Sequence, residues 1–283
     1  MRNSLSNKNI IISTDLDGTL LDNFNYSFVP IYPFYDAISK NSILIFNTSK
    51  TFKEICEVDK SLVANSPSIV ENGSAIFIPA KLKLEISSTF KLLDKYKVII
   101  LGIELDEIEK LLMDPSVLHY LKNCNFLNNM TIDEICKVTG LLPNIASKSR
   151  KRDFSKSFLW NGSISDFKKF ELALKNLNLR ILKGGRFYHI IGSSNKGKAL
   201  RLILEIYKKN FPYESFITIA LGNSENDNSM LKEADFAGVV RSSDDFILNL
   251  KRKKNVYYSN DIAPLGWKNV LLKIDPIKKL NLG

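Results

Sequence analysis

Residues 10–22 read IIISTDLDGTLLD, an apolar β-forming run that stops abruptly at two aspartates one residue apart, followed by Gly-Thr. In an extended strand, residues i and i+2 point the same way. Asp15 and Asp17 therefore serve one site at the strand's end, while Gly18 lets the backbone turn out of the sheet. Two carboxylates so placed suit phosphoryl transfer. Asp15 is the candidate nucleophile, Asp17 the candidate carrier of the leaving group's proton, and a hard cation among the oxygens would offset the accumulating negative charge. The competing reading of the stretch alone is a strand followed by an acidic turn, since Asp-Gly after a strand is ordinary turn chemistry.

Three further segments separate these readings. ILIF at 43–46 leads into NTSKT, so a hydroxyl of Thr48 or Ser49 emerges from a second strand's carboxyl end. Thr48 is the preferred residue, because its hydroxyl and the following N–H groups can hold phosphoryl oxygens, while Thr51 with Glu54 reads as a capping box opening a helix. NKGKALRLILEIYKK, from Asn195, puts Lys196 at the start of an amphipathic helix with Leu202, Ile203 and Ile206 on its buried face. ITIALGNSENDNSMLKEAD, from Ile217, is another apolar strand ending at Gly222, then a polar loop with Asn223 and Asp227, then a helix carrying Met230 and Leu231. Three strands thus end in groups suited to phosphate or metal.

In this order, DLDGT, the strand-ending Thr48, Lys196 and GNSEND resemble the haloacid dehalogenase-like phosphatase superfamily over most of the chain. Finer segments are similar to the mannosyl-3-phosphoglycerate phosphatase family, whose substrates include the glucosyl ester: TSKT at 48–51, ENGSAIFIP at 71–79, GGRFYHIIG with NKGKA at 184–199, and PLGW at 264–267. The resemblance implies an α/β fold, a Rossmann-like, mostly parallel sheet core with an inserted α+β cap domain. It implies that Thr48 and Lys196 stabilise the transferring phosphoryl group. It also implies Mg²⁺ held by Asp15, the Asp17 backbone carbonyl and Asn223 or Asp227, and substrate contacts from Ser49, Lys50, Glu71, Asn72, Arg150, Arg186 and His189. The products would be a glycosylglycerate and inorganic phosphate.

Arg186 is the first candidate for gripping a substrate carboxylate, because guanidinium binds it through two parallel hydrogen bonds. His189 lies three residues on, so strand alternation puts it on the opposite face, as a structural or secondary contact. Glu71 and Asn72 are the expected partners of sugar hydroxyls. Two departures from the family pattern stand out. Asn223 occupies the place where relatives carry Asp after the Gly, and near Arg150 the run SRKRDFSKSF puts Lys156 and Ser157 in place of Glu and Pro. Two rival functions are a phosphatase for another sugar or polyol phosphate and a phosphate-binding regulatory protein without catalysis. Retention of both Asp15 and Asp17 speaks against the second, since binding alone needs no acid/base carboxylate.

At 283 residues with 45% hydrophobic side chains, the chain can bury enough surface for two domains. The expected core is 1–83 with 193–283, and the cap is 84–192, with hinges near 80–90 and 190–195. Asn72-Gly73 is the turn of a hairpin between IV and AIFIP. Within the insert, helical patterns run near 104–113, 131–138 and 165–177, the middle one opened by Thr131/Glu134 and stopped at Gly140. A Gly184-Gly185 turn then joins two strand-like runs.

A net charge of +10 favours a small anionic partner such as a phosphorylated sugar. The cluster Lys148, Arg150, Lys151, Arg152 reads either as a solvated loop or as a binding patch, and no nucleic-acid module is present. Cys56, Cys124 and Cys136 show no CxxC spacing, which excludes a disulfide framework or a zinc site as the organising feature. No stretch approaches the roughly 20 apolar residues of a membrane helix, and the N-terminus lacks a signal-like apolar run, so a cytoplasmic location is the default expectation. The oligomeric state is not legible in the sequence.

Overall fold

In the computed structural model, which describes residues 9–184, 186–244, 246 and 248–280, the strands fall in two sheets. The first six are β1 (Ile10–Thr14), β2 (Ile43–Asn47), β3 (Ser68–Val70), β4 (Ala75–Pro79), β5 (Lys91–Leu93) and β6 (Tyr96–Ile100). Next come β7 (Cys124–Phe126), β8 (Lys156–Trp160), β9 (Arg180–Lys183) and β10 (Tyr188–Ile191), then β11 (Ile217–Gly222), β12 (Phe236–Arg241) and β13 (Val256–Ile262).

The large sheet has the order β13-β12-β11-β1-β2-β3-β4-β6-β5, parallel from β13 to β3 and antiparallel beyond. From β1 the chain runs to β2 on one side, and β11 later fills the other. The strand order therefore reverses beside β1, which is where open α/β sheets bind ligands, beyond their strands' carboxyl ends. The parallel strands are covered on both faces, and alternation splits them: Ile10, Ile12, Leu44 and Phe46 pack on one side with Trp267, Ile11, Ile43 and Ile45 on the other with Ile203 and Met230.

The second sheet, β7-β8-β10-β9, is antiparallel and lies in the insert. One of its faces carries Phe158 and Ile190 onto the helix Ile164–Asn176, through Phe170 and Leu174. The expected helices occur as Leu105–Leu111, Ile132–Thr139 and Ile164–Asn176. The Thr131/Glu134 capping box closes, and Gly140 takes the left-handed conformation at φ 74° that lets the chain leave that helix. β3 and β4 pair across Asn72-Gly73, and β9 and β10 pair across Gly184, with Gly185 outside the described residues.

One expectation needs correction. The large sheet does not end before residue 84, because β5 and β6 extend it as a hairpin on the edge of β4. Val98 and Ile99 alternate into the two core layers, so this hairpin completes the core and covers an edge that β4 would otherwise leave open.

Candidate active site

Asp15 follows the last residue of β1, and its N–H continues the ladder to the Leu221 carbonyl of β11. Thr14 fixes the neighbouring backbone. Its hydroxyl donates to the Asp15 carbonyl and accepts from Trp267 Nε1 at 3.0 Å, which gives the PLGW segment a task at the end of β1. Gly18 then turns the chain at φ 73°, and a side chain there would strike the Asn223 amide, so glycine is required by conformation and by space. Asp15, Asp17 and Asn223 line one cavity of about 390 Å³.

Lys196 is fully buried at the start of the helix Lys196–Asn210. Its Nζ donates to Asp15 Oδ1 and to Asp227 Oδ1, each at 2.6 Å. Asn47, at the end of β2, donates to the Lys196 carbonyl and to Ser13 Oγ, tying that helix to β1 and β2. Burial pushes the Asp15 carboxyl up to about 7 against the pull of Lys196. Burial alone would lower the Lys196 ammonium, but the carboxylates of Asp15 and Asp227 overcome it and hold the group protonated.

Asp227 has no free oxygen. Oδ1 takes Lys196, while Oδ2 accepts from the N–H groups of Asn223 and Ser224 and from the Ser224 hydroxyl. It anchors the loop and the lysine, and it does not line the cavity. Asn223 does line the cavity, with its Oδ1 accepting from the Thr19 hydroxyl at 2.9 Å. Among the described residues, no three His, Cys, Asp or Glu side chains converge at metal-binding spacing. The oxygen-bearing residues in this part of the cavity wall that could meet a hard cation are Asp15, Asp17 and Asn223. Mg²⁺ is commonly bound through one or two carboxylates with water completing its shell, so this donor set fits it.

Beyond β2, the Thr51/Glu54 box opens a helix as expected, Ser49 and Lys50 reach the cavity wall, and Thr48, its hydroxyl accepting from the Lys50 N–H, is buried and, like Lys196, absent from the lining. Lys50 is buried, with Nζ 2.9 Å from Asp17 Oδ2, 3.9 Å from Glu54 Oε1 and 5.0 Å from the centre of the Tyr26 ring. Asp17 Oδ1 is buried without a hydrogen-bond partner among the described residues.

Glu71 and Asn72, expected on sugar hydroxyls, are absent from the cavity lining. Both have positive φ in the hairpin turn, and both are buried. Glu71 accepts from the N–H groups of Asp153 and Phe154 and from the Ser155 hydroxyl, so it straps the insert to the large sheet. Asn72 accepts from Asn226 Nδ2.

The basic cluster resolves by burial. Arg150 is not in the cavity wall, and its guanidinium donates to the Asn128 carbonyl. Arg152, not singled out from sequence, does line the cavity at 8% exposure. Its Nε donates to Ser155 Oγ at 2.7 Å and sits 3.5 Å from Glu71 Oε2, and its Nη2 donates to the Ser49 carbonyl. Ser155, Glu71 and Ser49, which surround Arg152 and not Arg150, separate the two.

Arg186 reaches the cavity mouth, donating to Tyr26 Oη at 2.6 Å and to the Asn23 carbonyl, while Tyr26 donates to the Thr139 carbonyl. Tyr26 thus joins the loop after β1 to two parts of the insert. His189 also lines the cavity, contrary to the expectation from alternation, because Arg186 lies in the turn before β10 and shares no pleat with it.

Residues 12–261 match the family of haloacid dehalogenase-like hydrolases. A glucosyl-3-phosphoglycerate/mannosyl-3-phosphoglycerate phosphatase of Methanococcoides burtonii is 34% identical over 266 residues, 93% of this chain and 96% of that protein. The chain belongs to the mannosyl-3-phosphoglycerate phosphatase family of haloacid dehalogenase-like hydrolases. As a member, it is a phosphoric monoester hydrolase. A mannosyl-3-phosphoglycerate phosphatase of Pyrococcus furiosus is also 34% identical, over 81% of this chain and 90% of that protein.

The fold recurs in a Thermoplasma acidophilum protein, with a TM-score of 0.64 at 16% identity, covering 98% of this chain and 100% of that one. It recurs too in the sucrose-phosphatase of Synechocystis, solved with sucrose and phosphate, with a TM-score of 0.57 at 12% identity and coverages of 97% and 98%. Among the described residues of this phosphatase, no helix is long and apolar enough to cross a membrane.

Proposed function

We propose that this phosphatase hydrolyses glucosyl-3-phosphoglycerate or mannosyl-3-phosphoglycerate to the glycosylglycerate and inorganic phosphate. The observation that carries the reading is the buried Arg152 in the wall of the Asp15 cavity, hydrogen-bonded to the carbonyl of Ser49 beside Thr48. Glu71 balances the guanidinium inside the protein, and a phosphomonoester of a neutral sugar would make no use of the edge that Glu71, Ser155 and Ser49 leave unpaired. A phosphoglycerate would use it, because its carboxylate lies within a few bonds of the phosphate. Arg152 Nη1 has no protein partner among the described residues, so we assign the carboxylate to Arg152, with Arg186 at the mouth of the cavity.

Two steps follow. An oxygen of Asp15 attacks phosphorus in line, the bond from phosphorus to the glycerate oxygen breaks, and Asp17, entering as the acid, gives that oxygen its proton. Asp17, now a carboxylate, takes a proton from water as the water oxygen attacks phosphorus. The aspartyl-phosphate bond breaks and Asp15 is regenerated. Lys196 and Thr48 stabilise the phosphoryl oxygens, and Lys50 on Oδ2 holds the Asp17 carboxyl in its orientation. Asp15, the Asp17 carbonyl and Asn223 would hold Mg²⁺, which when bound offsets the charge on the phosphoryl oxygens. Asp227 keeps the part of holding Lys196 and the Asn223 loop. We further propose that the insert carrying the second sheet acts as the specificity cap, joined to the core at the Glu71 strap and the Tyr26 contacts.

The test is phosphate release with Mg²⁺ across glucosyl- and mannosyl-3-phosphoglycerate, sugar-free 3-phosphoglycerate and hexose 6-phosphates. The reading expects the glycosylated phosphoglycerates to have the highest kcat/KM. Preference for a hexose 6-phosphate would overturn it.

A further inference from the structure

Ser157 and His189 are directly opposed on β8 and β10, on the face of the small sheet that looks into the cavity, while their neighbours Phe158 and Ile190 point into the apolar cluster behind. Both side chains are buried, and Ser157 Oγ is 2.8 Å from His189 Nδ1. That bond fixes the ring and occupies one nitrogen. The other, Nε2, has no hydrogen-bond partner among the described residues. Beside it stands Gly184, where a Cβ would come within 2.7 Å of Nε2, so a larger residue would cover that nitrogen.

The ring is neutral, because burial together with the charges of Arg152 and Lys196 holds its pKa well below the ordinary histidine value. A neutral imidazole is poorly suited to phosphate or carboxylate, for which the cavity wall has Lys50 and Arg152. It suits a hydroxyl, which can both donate and accept. Leu127, Leu141 and Phe187 line the cavity nearby and offer apolar surface to the carbon face of a sugar ring.

We propose that Ser157 and His189 form the sugar-reading element of the site, with His189 Nε2 hydrogen-bonded to a hydroxyl of the substrate's hexose and Ser157 positioning the ring. This rests on the reading that the substrate is a glycosylated phosphoglycerate. His189 touches substrate, Ser157 acts through it, and Gly184 keeps the approach open.

The experiment compares kcat and KM of the full chain and its His189→Phe, His189→Gln, Ser157→Ala and Gly184→Ala variants on three substrates: glucosyl-3-phosphoglycerate, mannosyl-3-phosphoglycerate and sugar-free 3-phosphoglycerate. His189→Phe and Gly184→Ala should lower kcat/KM on the glycosylated esters by on the order of 10- to 100-fold, mainly through KM, with the sugar-free ester changed less than about twofold. His189→Gln should recover part of the loss, and Ser157→Ala should lose less than His189→Phe. Equal loss on all three substrates by the variants that melt like wild type would overturn the proposal while leaving the substrate assignment standing. A wild-type enzyme that turns over the sugar-free ester as well as the glycosylated ones would overturn both.

Discussion

Replacing Arg152 by Met should damage both stability and substrate choice, and the structure separates the two effects. Glu71 is 1% exposed and keeps two backbone N–H donors and the Ser155 hydroxyl after the guanidinium is removed. Breaking a buried ion pair by truncating one partner costs about 3–5 kcal/mol when the other is stranded. Three surviving hydrogen bonds and the 3.5 Å separation place the expected loss lower, at about 2–3 kcal/mol. Urea denaturation at pH 7 measures it. Glu71→Gln removes the stranded charge, so the double variant should be more stable than the sum of the single losses predicts, by at least about 1 kcal/mol.

The pH dependence has a definite sign. Burial raises the Glu71 pKa and Arg152 lowers it, so truncating Arg152 moves the folded-state value further up. A carboxyl raised in the folded state contributes stability at low pH that is lost as pH rises through the folded-state value, so the gap between wild type and Arg152→Met should narrow as pH falls. In turnover, Arg152→Met should lose on the order of 100-fold in kcat/KM on glycosylated phosphoglycerates and much less on a neutral aryl phosphate, since only the former loses a charge-assisted contact. Additive stability losses in the double variant, or equal activity losses on both substrates, would refute the reasoning.

Asn223→Asp adds a charge beside Asp15 while keeping the oxygen that accepts from Thr19, so the half-saturating Mg²⁺ concentration should fall by on the order of 10-fold. Fluorescence of Trp267, whose indole is bonded to Thr14 at the end of β1, can report binding without turnover, and an unchanged midpoint would count against Asn223 as a ligand. His189 is held neutral when folded, so below about pH 6.5 the unfolded chain binds the extra proton and stability falls with falling pH, by up to about 1.4 kcal/mol per pH unit. His189→Phe should remove that slope between pH 6.5 and 5 in chemical denaturation, and an identical slope in both proteins would show the imidazole to be charged in the fold.

Local chemistry made much of this molecule legible in the sequence. The abrupt ends of β1, β2 and β11, both Thr/Glu capping boxes and the Asn72-Gly73 turn each rest on residues within a few positions of one another, and each forms. Lys196 was legible only through the family resemblance, since a lysine at a helix start is ordinarily solvated; here two carboxylates from distant segments enclose it. Arg150 and Arg152 lie two residues apart in one basic run, and nothing in periodicity tells which is buried. The choice is made by Glu71 and Ser49, about 80 and 100 residues away in sequence. Glu71 and Asn72 are placed by distant residues in the same way: their neighbours in space are Phe154 and Asn226. The sheet's extension by β5 and β6 escaped because β5 is exposed throughout and carries no alternating pattern.

The central claim is that Asp15 takes the phosphoryl group while Asp17 moves the proton, and Asp17→Asn tests it most directly. With an activated aryl phosphate, whose leaving group needs little protonation, this variant should still form the phosphoenzyme but hydrolyse it slowly, because the amide cannot activate water. Peptide-level mass spectrometry after rapid quench should find one phosphate, on Asp15. Phosphate on any other residue, or steady release of phosphate at the wild-type rate with none retained, would contradict the account.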